Sequence, residues 1–356
     1  MNADPERTPQ PPDHNSPVLR IGIIGIGHWG PNYARILNGQ IAGATLTACV
    51  DRVPARLNSI RAQYPQVEML TDHREMIERK LVDAVAICTT ATTHRPIAED
   101  CLAAGLDVLV EKPIAASSED AEAIIKKARD TGRILMVGHT FLFNPAVQAM
   151  KRYLESGELG RVLYFHFQRT GLGPIRQDVN ALWDLAPHDL SMLSYWLGTE
   201  PSEVVARGQS YLKDGYDDVV FLTLRYPNDV LASIHVSWLD PVKVRRATIV
   251  GDRRMAVFDD VNASEKLRLY DKGASYQPAG GDFGAFVAAV RDGDILIPSL
   301  DNKEPLREQL AHFVQCVVER KEPIADGAAG LSVVRVLETA QKELDRGPRN
   351  PMEVRR

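Results

Sequence analysis

Between residues 19 and 139, short apolar runs alternate with amphipathic stretches, and this alternation constrains the fold more than any other feature. The runs occupy 20–26, 46–50, 83–88, 107–110 and 134–137, and the amphipathic segments 29–37, 54–63, 94–104 and 117–131. A strand apolar on both faces must be covered on both, as in a parallel sheet with helices above and below. Right-handed crossovers then make the sheet doubly wound. Beyond 139 the pattern changes. Strand-like runs follow one another at 161–170, 203–212, 217–226, 230–239, 243–258 and 265–270, and helical stretches at 304–320 and 331–344 come last. In one of these runs Val230, Ala232, Ile234, Val236 and Trp238 share a face. The expected fold class is α/β. An N-terminal Rossmann doubly wound parallel sheet (19–140) precedes an α+β domain with a mostly antiparallel open sheet (141–346).

Composition removes several function classes. Residues 1–18 hold five prolines and no apolar run of signal-peptide type, so a disordered tail is expected there and at 347–356. No run approaches the ~18 apolar residues of a membrane span. The charge sum of 42 − 47 = −5 gives no basic surplus for nucleic acid. Cys49, Cys88, Cys101 and Cys316 form no CxxC pair, which predicts reduced thiols, no metal site and a cytoplasmic protein.

The strongest local motif closes the first strand: Gly25-Ile26-Gly27-His28-Trp29-Gly30, then Asp51 at the end of the second, 21 residues after Gly30. Gly25 permits a tight turn, Gly27 lets backbone approach a pyrophosphate, and Gly30 lets helix and strand pack closely. The helix start adds free N–H groups and positive dipole. Asp51 is expected to bind ribose hydroxyls and repel a 2′-phosphate, favouring NAD over NADP, while Arg52 weakens that preference. His28 and Trp29 are candidate cofactor contacts, as are His94 at a helix start and Glu111 at a strand end. The plainer alternative is a glycine-rich turn in an unrelated parallel sheet.

Two further clusters carry candidate chemistry. Glu111-Lys112-Pro113 follows the 107–110 strand, where Pro113 biases Lys112 towards extended backbone. An ammonium at that carboxyl edge can bond a substrate hydroxyl. Asp184 precedes His188 by four residues near the start of an apparent helix at 186–197, so carboxylate and imidazole can fall on one side. Taken singly, a solvated lysine and a helix-capping histidine are the plainer alternatives. No tyrosine has a lysine four residues on, which argues against a short-chain dehydrogenase.

Together these motifs resemble the Gfo/Idh/MocA oxidoreductases from Leu19 to about Leu344. The resemblance implies catalytic roles for Lys112, Asp184 and His188, with Asp184 orienting His188. Lys112 and His188 also contact the substrate and can exchange the roles of base and polarising group. The segments 138–145 and 176–189 are similar to the UDP-sugar 3-dehydrogenase branch, whose members oxidise UDP-N-acetylglucosamine or its uronate at C3. On the polar loop ahead of the cluster, Arg169 and Arg176 suit a diphosphate or carboxylate. Asp178 and Asn180 suit sugar hydroxyls, and Asn144 completes the expected substrate set.

The expected activity is NAD-dependent hydride removal from a sugar hydroxyl carbon by a homo-oligomer, a dimer or tetramer. Family members associate through the open face of the second sheet. An inositol or aldose dehydrogenase and a keto-sugar reductase are the nearer alternatives. A non-catalytic NAD-binding regulator has no need of Lys112 and His188 together, and an NAD-dependent glycosidase is expected to carry an export signal.

Overall fold

The computed structural model describes residues 18–173, 175–278 and 286–346. The expected tails lie outside the described residues, save for Val18. The chain forms two compact units, and neither is one continuous stretch. Of the described residues, the first comprises 18–111, Lys126–Met136 and Leu306–Ile324, and the second the rest.

The N-terminal elements are β1 (Leu19–Ile24), α1 (Gly30–Leu37), β2 (Ala44–Val50), α2 (Pro54–Gln63), β3 (Glu68–Leu70), α3 (His73–Glu78), β4 (Ala84–Ile87), α4 (His94–Ala103), β5 (Asp107–Glu111), α5 (Ser118–Thr131) and β6 (Leu135–Gly138). Strand order β3-β2-β1-β4-β5-β6 is that of a Rossmann sheet, and the pairs from β3 to β5 are parallel. Every residue of β4 and β5 is buried, as strands covered on both faces require. Near the end of the chain, α8 (Pro305–Glu319) returns to this unit. Its Gln309 donates to the Tyr33 hydroxyl at 2.9 Å, and Tyr33 donates to Glu111 Oε1 at 2.6 Å.

The second unit holds α6 (Pro145–Glu155), β7 (Val162–Thr170), α7 (Ala181–Leu197), β8 (Glu203–Gln209), β9 (Val219–Arg225), β10 (Leu231–Ser237), β11 (Val244–Gly251), β12 (Met255–Asp259), β13 (Leu267–Tyr270), β14 (Gly273–Pro278), β15 (Phe286–Arg291), β16 (Ile295–Leu296) and α9 (Gly327–Arg346). Eight strands form one sheet in the order β16-β13-β12-β11-β7-β10-β9-β8. All its pairs are antiparallel except β7 with β10. The core side of this sheet is aromatic. Phe165 and Phe167 of β7 stack on Trp196 of α7 with centroids 6.1 and 5.9 Å away, a geometry that adds attraction beyond area burial. Period two holds on β10, where Ala232, Ile234 and Val236 are buried and Leu231 is exposed.

Two expected boundaries differ. The run 243–258 is a hairpin rather than one strand, because Gly251 donates to Arg254 O across a turn whose Asp252 carboxylate accepts from Arg161 N–H. The helix expected to start at 186 starts at Ala181, capped by Asn180, and carries Pro187 inside it. Among the described residues, no helix is long and apolar enough to cross a membrane.

Candidate active site

The glycine turn has the shape of a dinucleotide cradle. Gly25 takes φ +99°, and a Cβ there would lie 2.8 Å from the Cys88 carbonyl carbon. A Cβ on Gly30 would lie 2.4 Å from Gly25 O, so neither site tolerates a side chain. At Gly27 nothing lies within 4 Å of the Cβ position, which leaves backbone open to a ligand. These are the three steric roles a pyrophosphate-binding turn requires. Asp51, buried at the end of β2, accepts from Ile26 N–H and Val53 N–H at 2.8 Å each. It therefore braces the turn while retaining acceptor capacity for a ribose. Arg56, absent from the sequence-based set, reaches Asp51 Oδ2 at 3.5 Å, and Arg52 is exposed. His28 is exposed beside Trp29. His94 is buried at the start of α4 and donates through Nε2 to Thr89 O at 3.1 Å. Glu111, also buried, is bonded by Tyr33, whose hydroxyl is held above its usual pKa by burial and by the Glu111 charge.

Asp51 is the expected determinant of cofactor choice. Replacing it (Asp51→Ser) should reduce the ratio Kd(NADP)/Kd(NAD) several-fold, because the repelling charge goes, and should weaken NAD itself because the turn loses its brace. Equal affinity of the unmodified protein for both nucleotides, measured by titration, contradicts this reading.

A second cluster lies within the other unit. Pro187 has no N–H to give the Trp183 carbonyl, which opens the early turns of α7. At the next carbonyl, that of Asp184, Lys112 Nζ donates at 3.0 Å. His188 is half-buried, its ring 5.0 Å from that of Phe141. Above Phe141 lies the Arg169 guanidinium, 4.5 Å from the ring centroid. Burial, then the charges of Lys112, Arg169, His139 and Arg245, hold His188 well below the usual imidazole pKa, so it is neutral and able to accept a proton. Its Nδ1 is buried without a hydrogen-bond partner among the described residues, as are both ring nitrogens of His139. Burial and Lys112 push His139 down to about 3.

Several sequence-based assignments change here. Asp184 does not bond His188: its carboxylate accepts from Arg176 Nη1 at 3.3 Å and Trp238 Nε1 at 3.2 Å, which turn it away. Arg169 is not on a loop. It is a buried residue of β7 whose guanidinium clasps buried Asp189 at 2.7–3.2 Å. Asn180 is the N-cap of α7, accepting from Trp183 N–H and donating to Gln341 at 2.9 Å, rather than a free polar loop residue. Asn144 caps α6 in the same way through Ala146 N–H and donates to Asp260 at 3.4 Å. Arg176 and Asp178 remain half-exposed as a bidentate pair at 2.6 and 2.9 Å. Trp238, which donates to Asp184, and Arg245, whose charge bears on His188, are not among the sequence-based candidates. The available signal for Arg245 is its position two residues before Ala247 on an apolar strand phase.

Among the described residues, no group of three or more His, Cys, Asp or Glu side chains is placed to hold a metal. Comparison with known proteins agrees with the cradle. Residues 19–139 match the oxidoreductase family model with an NAD-binding Rossmann fold, and 147–257 match the GFO/IDH/MocA C-terminal domain. A UDP-N-acetylglucosamine 3-dehydrogenase of Acidithiobacillus ferrooxidans is 28% identical over 323 residues, 89% of this chain and 94% of that one. A scyllo-inositol 2-dehydrogenase (NAD(+)) of Bacillus subtilis is 25% identical over 319 residues, 86% and 88% of the two chains. The crystal structure of a putative oxidoreductase from Magnetospirillum magnetotacticum superposes with TM-score 0.77 at 32% identity, covering 91% of this chain and 99% of that one.

The protein is thus an NAD-binding oxidoreductase with a Rossmann unit and an open-sheet unit. It belongs to the Gfo/Idh/MocA family, and its relatives include dehydrogenases named for UDP-N-acetylglucosamine and for inositols.

Proposed function

We propose that this enzyme oxidises a ring hydroxyl of a sugar nucleotide, at C3 of a UDP-linked N-acetylhexosamine or its uronate. One observation carries the catalytic part: Lys112 Nζ is fixed on the Asp184 carbonyl, one helical turn before a histidine held neutral. The chemistry that NAD supplies when bound is acceptance of a hydride at the nicotinamide ring. Glycines 25, 27 and 30 with Asp51 would hold that cofactor. His188 takes the hydroxyl proton, and the Lys112 ammonium donates a hydrogen bond to the substrate oxygen as charge develops on it. Asp184 is a positioning residue, acting through its carbonyl on Lys112 and through its carboxylate on Arg176. Arg176 and Asp178, a half-exposed pair on the segment before α7, would meet the nucleotide end of the substrate in this reading.

The sugar-nucleotide assignment draws on the 28%-identical UDP-N-acetylglucosamine 3-dehydrogenase, which aligns over 89% of this chain. The inositol dehydrogenases among the relatives support a second reading, oxidation of a free polyol. NADH absorbance and mass spectrometry on a panel of UDP-sugars, aldoses and inositols separate the two. The panel is run with and without 2-oxoglutarate, so that tightly held NADH is reoxidised. UDP-sugars should turn over faster than the matching free sugars, because remote binding energy positions the reacting carbon. Faster turnover of a free inositol or aldose than of every UDP-sugar tried would overturn the nucleotide assignment.

A further inference from the structure

The core face of the eight-stranded sheet is apolar until its rim, where two guanidiniums share it. On β7, Phe165 and Phe167 are buried and Arg169 follows on the same face; on β11, Ala247 and Ile249 are buried and Arg245 precedes them on theirs. The strand register sets Arg245 directly opposite Arg169. Like charges directly opposite destabilise a strand pair unless anions compensate. The two arginines are compensated unequally. Arg169 is clasped by Asp189 at 2.7 Å with both side chains buried. Arg245 makes only a longer ion pair with Asp260, at 3.6 Å, and its side chain is 40% exposed. Asp260 shares its carboxylate, since Asn144 Nδ2 donates to Oδ1 while Oδ2 faces Arg245.

We propose that Arg245 anchors an anionic group of the substrate, a carboxylate or phosphate oxygen, beside the Lys112–His188 cluster. This inference rests on the sugar-oxidising reading above and adds the residue that holds an acidic group of its substrate. An anion on Arg245 relieves its repulsion with Arg169, and a planar guanidinium suits either oxyanion bidentately. It also offsets the positive field that Arg245 and its neighbours impose on His188, so the bound acid makes the imidazole a stronger base. A neutral sugar does neither.

The test uses the full chain saturated with NAD and four probes: N-acetylglucosamine, N-acetylglucosaminuronate, and the UDP conjugates of both. Binding is measured by calorimetry and turnover by product mass. If Arg245 holds a ring carboxylate, Arg245→Gln weakens both uronates roughly tenfold or more relative to their neutral counterparts. If it holds the diphosphate, the same variant weakens both UDP conjugates relative to the free sugars. In either case Asp260→Asn, which removes the competing carboxylate, strengthens the affected probes several-fold. Equal loss on all four probes in Arg245→Gln, or loss rather than gain in Asp260→Asn, would overturn the proposal. Arg245-dependent binding of acidic probes without oxidation of any would leave the anchor standing and remove the oxidation reading. Oxidation with no charge-selective loss does the reverse.

Discussion

Lys112→Met and His188→Asn should each lose roughly 10²–10⁴-fold in kcat on the preferred sugar, the range over which a positioned acid–base group contributes. Both variants should still bind NAD, because the glycine turn and Asp51 belong to the other compact unit. The two losses have different signatures. His188 is held well below the usual imidazole pKa of 6.5, so kcat/KM of the unmodified enzyme should show no loss from its protonation until well below that pH. Lys112 donates to the Asp184 carbonyl in the free protein, so its removal also frees the early turns of α7. Should either variant keep near-normal turnover with NAD bound, that residue leaves the catalytic set.

A second large effect concerns folding. Asp189→Asn should cost about 3–5 kcal/mol in unfolding free energy, because it leaves the Arg169 guanidinium buried without a countercharge. A buried ion pair of this kind is expected to add little net stability. Burial raises the Asp189 carboxyl above its usual pKa despite the arginine, which shows how costly its desolvation is. Accordingly Arg169→Met combined with Asp189→Leu should recover most of the loss, since apolar residues of similar volume fit beside Phe141 and Phe167. Urea unfolding of the three proteins decides it. A single Asp189→Asn variant within ~1 kcal/mol of the parent would mean that water solvates Arg169 or another carboxylate neutralises it.

The parts of this protein legible in its sequence are those set by short-range pattern. Strands such as Ala84–Ile87 have no polar phase at all, so a parallel sheet covered on both faces follows from residue type alone. Gly25, Gly27 and Gly30 were readable because backbone conformation and close approach dictate them locally. The phase of Val230–Trp238 was readable for the same reason. Illegible features depend on partners distant in the chain. Asp184 looked poised to orient His188 at helical spacing, but Trp238, 54 residues on, takes its carboxylate. Arg169 looked like a loop cation because nothing nearby announces its pairing with Asp189 across 20 residues. The capping role of Asn180 is not legible because Pro187 masks the true start of α7. Strand β3, three residues long, carries too little periodicity to detect, and the hairpin at Gly251 was hidden by apolar residues on both sides.

The central claim is that a hydrogen leaves one ring carbon of a sugar nucleotide as hydride while His188 takes the hydroxyl proton. Isotope tracing tests it most directly. UDP-N-acetylglucosamine or its uronate, whichever turns over, is prepared with deuterium at C3 and incubated with the enzyme and NAD. The account predicts a 3-keto product lacking the label, NADH carrying it, and loss of both signals in His188→Asn. Deuterium retained in the sugar while NADH forms, or released to water, would contradict it.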